Sequence, residues 1–129
     1  MKYIYPAYFV YEEGRYTVHF PDFPSICTEG DTIEEAIDMA EDALNLCLWD
    51  AEESHDKIPQ PSKPGTFSMP DGAFMSLIKA DTLEYRKHYE TKTVKKTVSI
   101  PKWLDTLSKE HNINFSNVLQ NALIKQLKV

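Results

Sequence analysis

The sequence has little cysteine, few histidines and no long apolar segment. Its two cysteines, Cys27 and Cys47, stand far apart without a CxxC motif, and its four histidines are scattered. This pattern argues against a structural zinc site and against a disulfide framework. No apolar run approaches the roughly 20 residues that cross a bilayer, and the first residues lack a signal-peptide pattern. We therefore expect a cytoplasmic protein with reduced cysteines and no membrane partner.

Acidic residues are missing from the interiors of the apolar segments, where a metal-dependent nuclease would need them. YIYPAYFVY, YTVHF and FMSLIKA contain no Asp or Glu, whereas a catalytic Mg²⁺ needs several converging carboxylates. The chain also lacks a P-loop, a GxSxG elbow and a Cys/His pair at informative spacing. The sequence therefore predicts no catalytic residue, no metal and no cofactor, and a protein that is not an enzyme.

Charge is unevenly distributed along the 129 residues, which together carry a net charge of −6. Residues 1–90 contain 7 Lys and Arg against 18 Asp and Glu, a net charge of −11, whereas residues 91–129 contain 7 against 2, a net charge of +5. A sign change of this kind indicates two modules with different partners. A single domain with uneven solubilising charge is the alternative. The acidic module suits a basic partner.

The first 80 residues predict three strands, a helix and a fourth strand. YIYPAYFVY and YTVHF flank the hairpin turn EEGR, and Pro6 indicates an edge or bulged first strand. PDFPSI interrupts regular structure, and CTEGD is a short candidate third strand. In residues 31–50, Thr32 and Glu35 fit a capping box, followed by an apolar stripe and an acidic face that we expect to be solvated. A loop over residues 54–73 then leads to the strand FMSLIKA.

The basic tail predicts one strand and two helices, which are too few to close a core. KKTVSIP alternates polar and apolar residues, and WLDTLSKEH and SNVLQNALIKQL are amphipathic, the second with Ser116 as its N-cap. About 35 residues rarely fold alone, and a lone strand has no pairing partner. We therefore predict an obligate homodimer, and a tetramer if the N-terminal modules also pair. The predicted dimer core consists of Val98, Ile100, Leu104, Leu107, Val118, Leu119, Ala122 and Leu123.

The polar positions of the tail strand predict a surface that reads DNA. The major groove admits a two-stranded β-ribbon, and Lys, Thr and Ser side chains can bond base edges there. Lys95, Thr97 and Ser99 from two antiparallel copies would share the outer face of such a ribbon. Because helix N-termini present free N–H groups to phosphate, Ser116 and Asn117 are the predicted backbone contacts. An ordinary αα-hairpin is the alternative for this segment.

The tail KKTVSIPKWLDTLSKEHNINFSNVLQNAL resembles the ribbon-helix-helix DNA-binding domains of bacterial repressors. The resemblance covers about 35 residues, from a basic strand with alternating core positions through a helix and a short turn to a second helix. It implies a dimer that binds double-stranded DNA.

The stretch YPAYFVYEEGRYTVHFPDFPSICTEGDTIEEAIDMAEDAL is similar to the HicB antitoxin family. This similarity implies an N-terminal domain with a partial RNase H fold that has lost catalytic function. Such a domain neutralises a small basic HicA toxin, which cleaves mRNA, while the C-terminal dimer binds the operator of its own operon. The predicted toxin contacts are Asp22, Phe23, Glu29 and Asp31, in the loops beside the sheet.

Together these patterns predict an α+β fold in three parts. Residues 1–80 form an antiparallel sheet with one packed helix, residues 81–92 a linker or short helix, and residues 93–129 the ribbon-helix-helix domain. Two other functions fit the same residues. One is a stand-alone repressor whose acidic domain binds a small molecule or mediates oligomerisation, and the other is an acidic adaptor that blocks a different nucleic-acid-binding protein. A short basic protein encoded beside the gene would favour the antitoxin.

Overall fold

The first two strands form a tight β-hairpin. In the computed structural model, which describes residues 1–129, β1 spans Lys2–Glu12 and β2 spans Arg15–Phe20. The turn between them places Glu13 at a φ of 53° and Gly14 at a φ of 78°. Two successive positive φ values are what a two-residue type I′ turn requires, and the twist of that turn matches the twist of the strands. The predicted hairpin is therefore confirmed.

The chain divides into two units, Met1–Lys92 and Thr93–Val129. After the hairpin, the first unit contains β3 at Phe23–Gly30, α1 at Ile33–Glu53, β4 at Phe74–Asp81 and α2 at Thr82–Tyr89. The second unit contains α3 at Lys102–Glu110 and α4 at Phe115–Leu127. This is the predicted α+β class. None of the four helices has the length and apolar character that a bilayer crossing demands.

The four strands form one antiparallel sheet in the order β3-β2-β1-β4, so β1 is an inner strand and not the predicted edge strand. It pairs with β2 only from Tyr8 to Glu12, whereas it pairs with β4 from Lys2 to Phe9. At Pro6 the strand therefore has a neighbour on the β4 side alone. Because proline has no N–H to give to a ladder, this locally one-sided position tolerates it.

β3 is longer than predicted, since Phe23 and Pro24 belong to it. The strand lies at an edge of the sheet, where one side of its backbone has no ladder to complete, and such strands accept proline. Its last residue, Gly30, lies so close to α1 that an added Cβ would be 2.5 Å from the backbone nitrogen of Ala36. Only glycine allows the chain to turn from β3 into α1 at this distance.

α1 begins at the predicted capping box and covers one face of the sheet. The Thr32 side chain accepts a hydrogen bond from the Glu35 N–H at 3.1 Å. The Glu35 carboxylate in turn accepts a hydrogen bond from the Asp31 N–H at 3.2 Å, one residue before the cap. The core between helix and sheet consists of Tyr5, Ala7, Phe9, Val18, Phe20, Phe23, Ile26, Ala36, Ala40, Leu44, Leu48, Ile78 and Ala80.

α2 is fixed against α1 by polar contacts. The Tyr85 hydroxyl donates a hydrogen bond to Asp42 at 3.1 Å. The Arg86 guanidinium donates to Glu52 at 3.1 Å, and both of these side chains are largely shielded from solvent. Residues 81–92, predicted as a linker or a short helix, thus contain a helix that belongs to the first unit.

The bond between Tyr85 and Asp42 predicts a loss of stability at alkaline pH. Burial, and then this hydrogen bond, raises the pKa of Tyr85 to about 12, whereas tyrosines in the unfolded chain titrate near 10. The folded state therefore holds the proton more tightly, and the resulting stabilisation is complete below about pH 10 and lost as the pH rises towards 12. Urea unfolding at neutral pH and near pH 11 measures the loss.

Tyr85→Phe is the control, because it keeps the ring and removes the titrating hydroxyl. We expect this variant to be less stable at neutral pH and to lose less stability than the wild type on going to pH 11. Tyr3, whose pKa burial and Glu52 also raise to about 12, contributes to the loss that remains, as do Tyr5 and Cys47, whose pKa values burial raises. An equal loss in both proteins would contradict the role given to Tyr85.

The second unit contains only two of the three elements predicted for the tail. Residues 90–101 have no regular secondary structure, so the predicted strand is absent from the single chain. A β-strand obtains its backbone hydrogen bonds from a neighbouring strand, and the second unit has no other strand. The two-stranded ribbon requires a second copy of the chain and stays a prediction.

Candidate functional site

The residues predicted to read bases lie in the segment that precedes α3. Lys95, Thr97 and Ser99 are exposed, and none of them makes a side-chain hydrogen bond or an ion pair. The neighbouring apolar residues Val98 and Ile100 are 62% and 41% exposed. Both the polar and the apolar positions of the segment are therefore free to contact another molecule.

Asn114, and not the predicted Ser116, caps the N-terminus of α4. Its side chain accepts a hydrogen bond from the Asn117 N–H at 3.1 Å, and Ser116 lies within the first turn. Asn is as effective an N-cap as Ser, which explains why the helix begins earlier than predicted. Because the Asn117 N–H is already bonded, the free N–H groups of this turn belong to Phe115 and Ser116. Asn117 can reach a phosphate only through its side chain.

All eight residues of the predicted dimer core are exposed in the single chain. Among the seven of them that are larger than alanine, Leu119 is the least exposed and retains 37% of its surface. The second unit has no buried residue at all, so it has no core of its own. Exposed apolar surface on both helices of so small a unit is typical of an interface. The sequence interpretation left out three further exposed members of this surface, Ile113, Phe115 and Ile124.

Two of the four predicted toxin contacts have structural roles inside the first unit. Phe23 is 8% exposed and packs edge-on against Tyr5, with ring centroids 4.7 Å apart. Asp22 accepts a hydrogen bond from the Ser62 N–H at 2.9 Å and another from the Ser62 hydroxyl. Asp22 thereby ties the long loop after α1 to the turn between β2 and β3. Phe23 is therefore part of the core, and each oxygen of Asp22 already accepts a hydrogen bond within the first unit.

The other two predicted contacts, Glu29 and Asp31, share one cation. Arg15 lies 3.0 Å from Glu29 through Nη1 and 2.8 Å from Asp31 through Nε. All three side chains are largely exposed, so these ion pairs are screened by water and individually weak. The two carboxylates are accessible to a partner, but their negative charge is partly neutralised.

The most acidic element of the first unit is α1, whose polar face was predicted to be merely solvated. Its 21 residues include eight acidic residues and no Lys, Arg or His. Met39 and Leu46, two turns apart on the same helix, are 43% and 52% exposed. Sequence patterns could have revealed this combination, because both residues fall outside the stripe that faces the core. Four of the acidic side chains have no hydrogen-bond or ion-pair partner: Glu34, Asp38, Glu41 and Asp50.

The histidines and cysteines form no metal-binding cluster. His19 stacks on Tyr8 with ring centroids 5.1 Å apart, and both cysteines are free thiols. Within residues 1–129, no three His, Cys, Asp or Glu side chains come together in a way that could hold a metal ion. The exposed groups of both units suit binding to other macromolecules.

The chain joins an acidic α+β unit to a basic helical unit. The sequence model of one family, described as the HicB-like antitoxin of bacterial toxin-antitoxin systems, matches residues 4–68 of the first unit. This match covers half of the chain. The protein belongs to the HicB-like antitoxin family.

Individual relatives support the assignment. Antitoxin HicB 1 of Photorhabdus laumondii is 50% identical over 54 residues, which are 42% of this chain and 35% of the relative, so the chain spans about a third of that protein's length. A chain in the structure of a toxin-antitoxin complex from Streptococcus pneumoniae is 33% identical, with a TM-score of 0.60 over 98% of this chain and 99% of the other. The antitoxin HicB of Burkholderia pseudomallei, at 22% identity and a TM-score of 0.54 over 97% of this chain and 96% of its own, shares the fold.

Proposed function

We propose that this protein is the antitoxin of a type II toxin-antitoxin system, acting in the bacterial cytoplasm. The observation that carries the proposal is the similarity, over 98% of the chain, to a chain of the toxin-antitoxin complex from Streptococcus pneumoniae. Because that similarity includes both units, it supports one function that uses both of them. The family match over residues 4–68 supports the same reading of the first unit.

The first unit neutralises a HicA-like toxin that cleaves mRNA. Residues 1–90 carry a net charge of −11, and a protein that binds RNA is expected to be basic. Complementary charge accelerates the encounter of two proteins and suppresses wrong partners. The sheet of four antiparallel strands with one helix across it is compatible with the partial RNase H fold that the family resemblance implies.

The second unit acts as a ribbon-helix-helix dimer that represses its own operon. Residues 93–129 provide α3, α4 and the exposed alternating segment before them, and their apolar residues are uncovered in a single chain. Pairing with a second copy would bury these residues and supply the missing strand partner. The ribbon would then present Lys95, Thr97 and Ser99 to the major groove. The first turn of α4 would face phosphate with the free N–H groups of Phe115 and Ser116.

Two measurements test the proposal as a whole. The short basic protein encoded beside the gene should arrest growth when it is expressed alone, and co-expression of the antitoxin should rescue that growth. Fluorescence anisotropy with DNA from upstream of the gene should show binding that weakens steeply with salt, because each phosphate contact releases counterions. Failure of growth rescue would refute the antitoxin function, and failure of the full chain to bind this DNA would refute the repressor function.

Substitutions of the residues proposed to contact bases should separate operator binding from toxin neutralisation. We expect Lys95→Ala and Thr97→Ala each to weaken operator binding by roughly 1–3 kcal/mol, the usual loss for a side chain that contacts a base. Neither residue lies in the first unit, so growth rescue should be unchanged. Lys128→Ala, which removes the same charge at the far end of α4, is the matched control. Loss of both activities in one variant would contradict this division of labour.

A further inference from the structure

β3 has one edge without a pairing partner. It pairs with β2 on one side, and the sheet order leaves its other side free. Proteins usually protect such edges with charges, prolines or covering segments, because unpaired N–H and C=O groups invite another strand. On the opposite edge of the sheet, β4 carries Lys79 and Asp81. β3 carries Pro24 and Glu29 near its ends, and its register with β2 is irregular between Phe23 and Cys27. The stretch between that proline and that glutamate, Ser25–Thr28, contains neither a charged residue nor a proline.

A groove of about 540 Å³ runs between this free edge and α1. One wall consists of Ser25–Thr28, and α1 provides Ala43, Leu46, Cys47 and Asp50 on the other. Leu46 is 52% exposed there. A free strand edge beside an apolar groove is the arrangement that binds extended segments by strand addition, since the edge bonds the backbone and the groove receives alternate side chains.

Charge identifies the occupant of this groove. Asp50 lies at the groove, is exposed and has no cation within ion-pairing distance. It belongs to a helix of eight acidic residues without a single basic one. A second copy of this chain pairing edge to edge would bring two such helices close together, and like charges opposed across an interface cost free energy. A basic partner would bring positive charge to this acidic helix, so the contact would be attractive.

We propose that a basic segment of the toxin adds as a fifth strand to the β3 edge, with an apolar side chain against Leu46 and a cationic side chain at Asp50. This inference rests on the antitoxin function proposed above and specifies where the partner binds. The proposed surface contains the exposed residues Leu46 and Asp50 in place of Asp22 and Phe23, which make contacts inside the first unit. Glu29, at the end of the same strand, remains within the proposed surface.

Two lysine substitutions in the full-length protein test the groove, one at an apolar residue and one at an acidic residue. Leu46→Lys and Asp50→Lys should each raise the Kd for the basic protein encoded beside the gene by about 30-fold or more, the loss expected for a central contact of an interface. Leu77→Lys is the matched control for Leu46, because Leu77 is 55% exposed and alternates with the buried Ile78 on the opposite face of the sheet. Asp71→Lys, in the loop before β4 on the other edge, controls for charge. Both controls should bind as the wild type does.

Hydrogen exchange tests the strand addition itself. On formation of the complex, the amides of Ser25–Thr28 that face away from β2 should become protected, because they acquire carbonyl partners. If the wild type binds and neutralises the basic protein while both groove variants bind within threefold of it, the groove is refuted and the antitoxin function stands. If the wild type neither binds nor neutralises, both proposals fail. If Leu46→Lys instead converts a larger oligomer to a smaller one without affecting the toxin, the occupant is a second copy and the inference is wrong.

Discussion

Leu119→Asp should convert the protein to a monomer that no longer binds its operator. Leu119 belongs to the predicted dimer core and is 37% exposed in the single chain. In a two-fold symmetric dimer the substitution would bury two carboxylates without partners, one from each copy. Burying an unpaired charge costs on the order of several kcal/mol for each carboxylate, which strongly disfavours the dimer. We therefore expect sedimentation at the monomer mass and a loss of operator affinity of about a thousandfold or more, to the level of non-specific binding.

The control for this prediction is Asn121→Asp, which adds the same charge on the opposite side of α4. It should remain a dimer, since two positions along a helix rotate a side chain by about 200° away from Leu119. Growth rescue should be retained in both variants, because the toxin is proposed to bind the first unit. A Leu119→Asp protein that still sediments as a dimer with unchanged helix content would show that the exposed face of α4 is not the dimer interface.

The elements that were predicted correctly are those whose determinants lie within a few residues of one another. The hairpin depends on two positive φ values at Glu13 and Gly14, and α1 begins where Thr32 and Glu35 fit a capping box. Such signals are local, so they predict the structure without knowledge of the tertiary contacts. The order of three strands, a helix and a fourth strand was predictable for the same reason.

The errors arose where a distant part of the chain determines the local structure. Pro6 indicated an edge or bulged strand, whereas β4 arrives from more than sixty residues away and makes β1 an inner strand that has one free side only at this position. Pro24 appeared to interrupt regular structure, whereas the sheet order places it in an edge strand that tolerates it. Phe23 appeared accessible in a loop, but it completes the core beside Tyr5. In each case the tertiary neighbour overrides the local preference.

The candidate binding surfaces were only partly predictable. The exposed tail follows from its size, because about 37 residues with two helices cannot bury their apolar faces alone. The groove at β3 could not be found from sequence, because it exists only once the sheet order is known. Leu46 lies outside the core stripe of α1 and would pass for an ordinary exposed residue. Its position beside a free strand edge makes it a candidate contact for a partner.

Leu44→Ala should destabilise the first unit while leaving the second unaffected. Leu44 is completely buried between α1 and the sheet, and removing such a side chain leaves a cavity that costs about 2–5 kcal/mol. For a unit of this size, a loss of about 3 kcal/mol lowers the melting temperature by roughly 12–24 °C. The matched control is Leu46→Ala, two positions along the same helix, where the side chain is 52% exposed and truncation should cost less than about 0.5 kcal/mol.

Scanning calorimetry separates the two units, because only the second is proposed to unfold with dissociation of a dimer. The midpoint temperature of its transition should therefore rise with protein concentration, whereas the midpoint temperature of the first unit should not. Leu44→Ala should lower the concentration-independent transition alone, and growth rescue should fail at temperatures where operator binding persists. If both transitions moved together, the two units would be coupled in stability, and a defect in toxin neutralisation would carry over to repression. Separate shifts would mean that each unit can lose its partner without affecting the other, as the change in charge sign near residue 90 suggests.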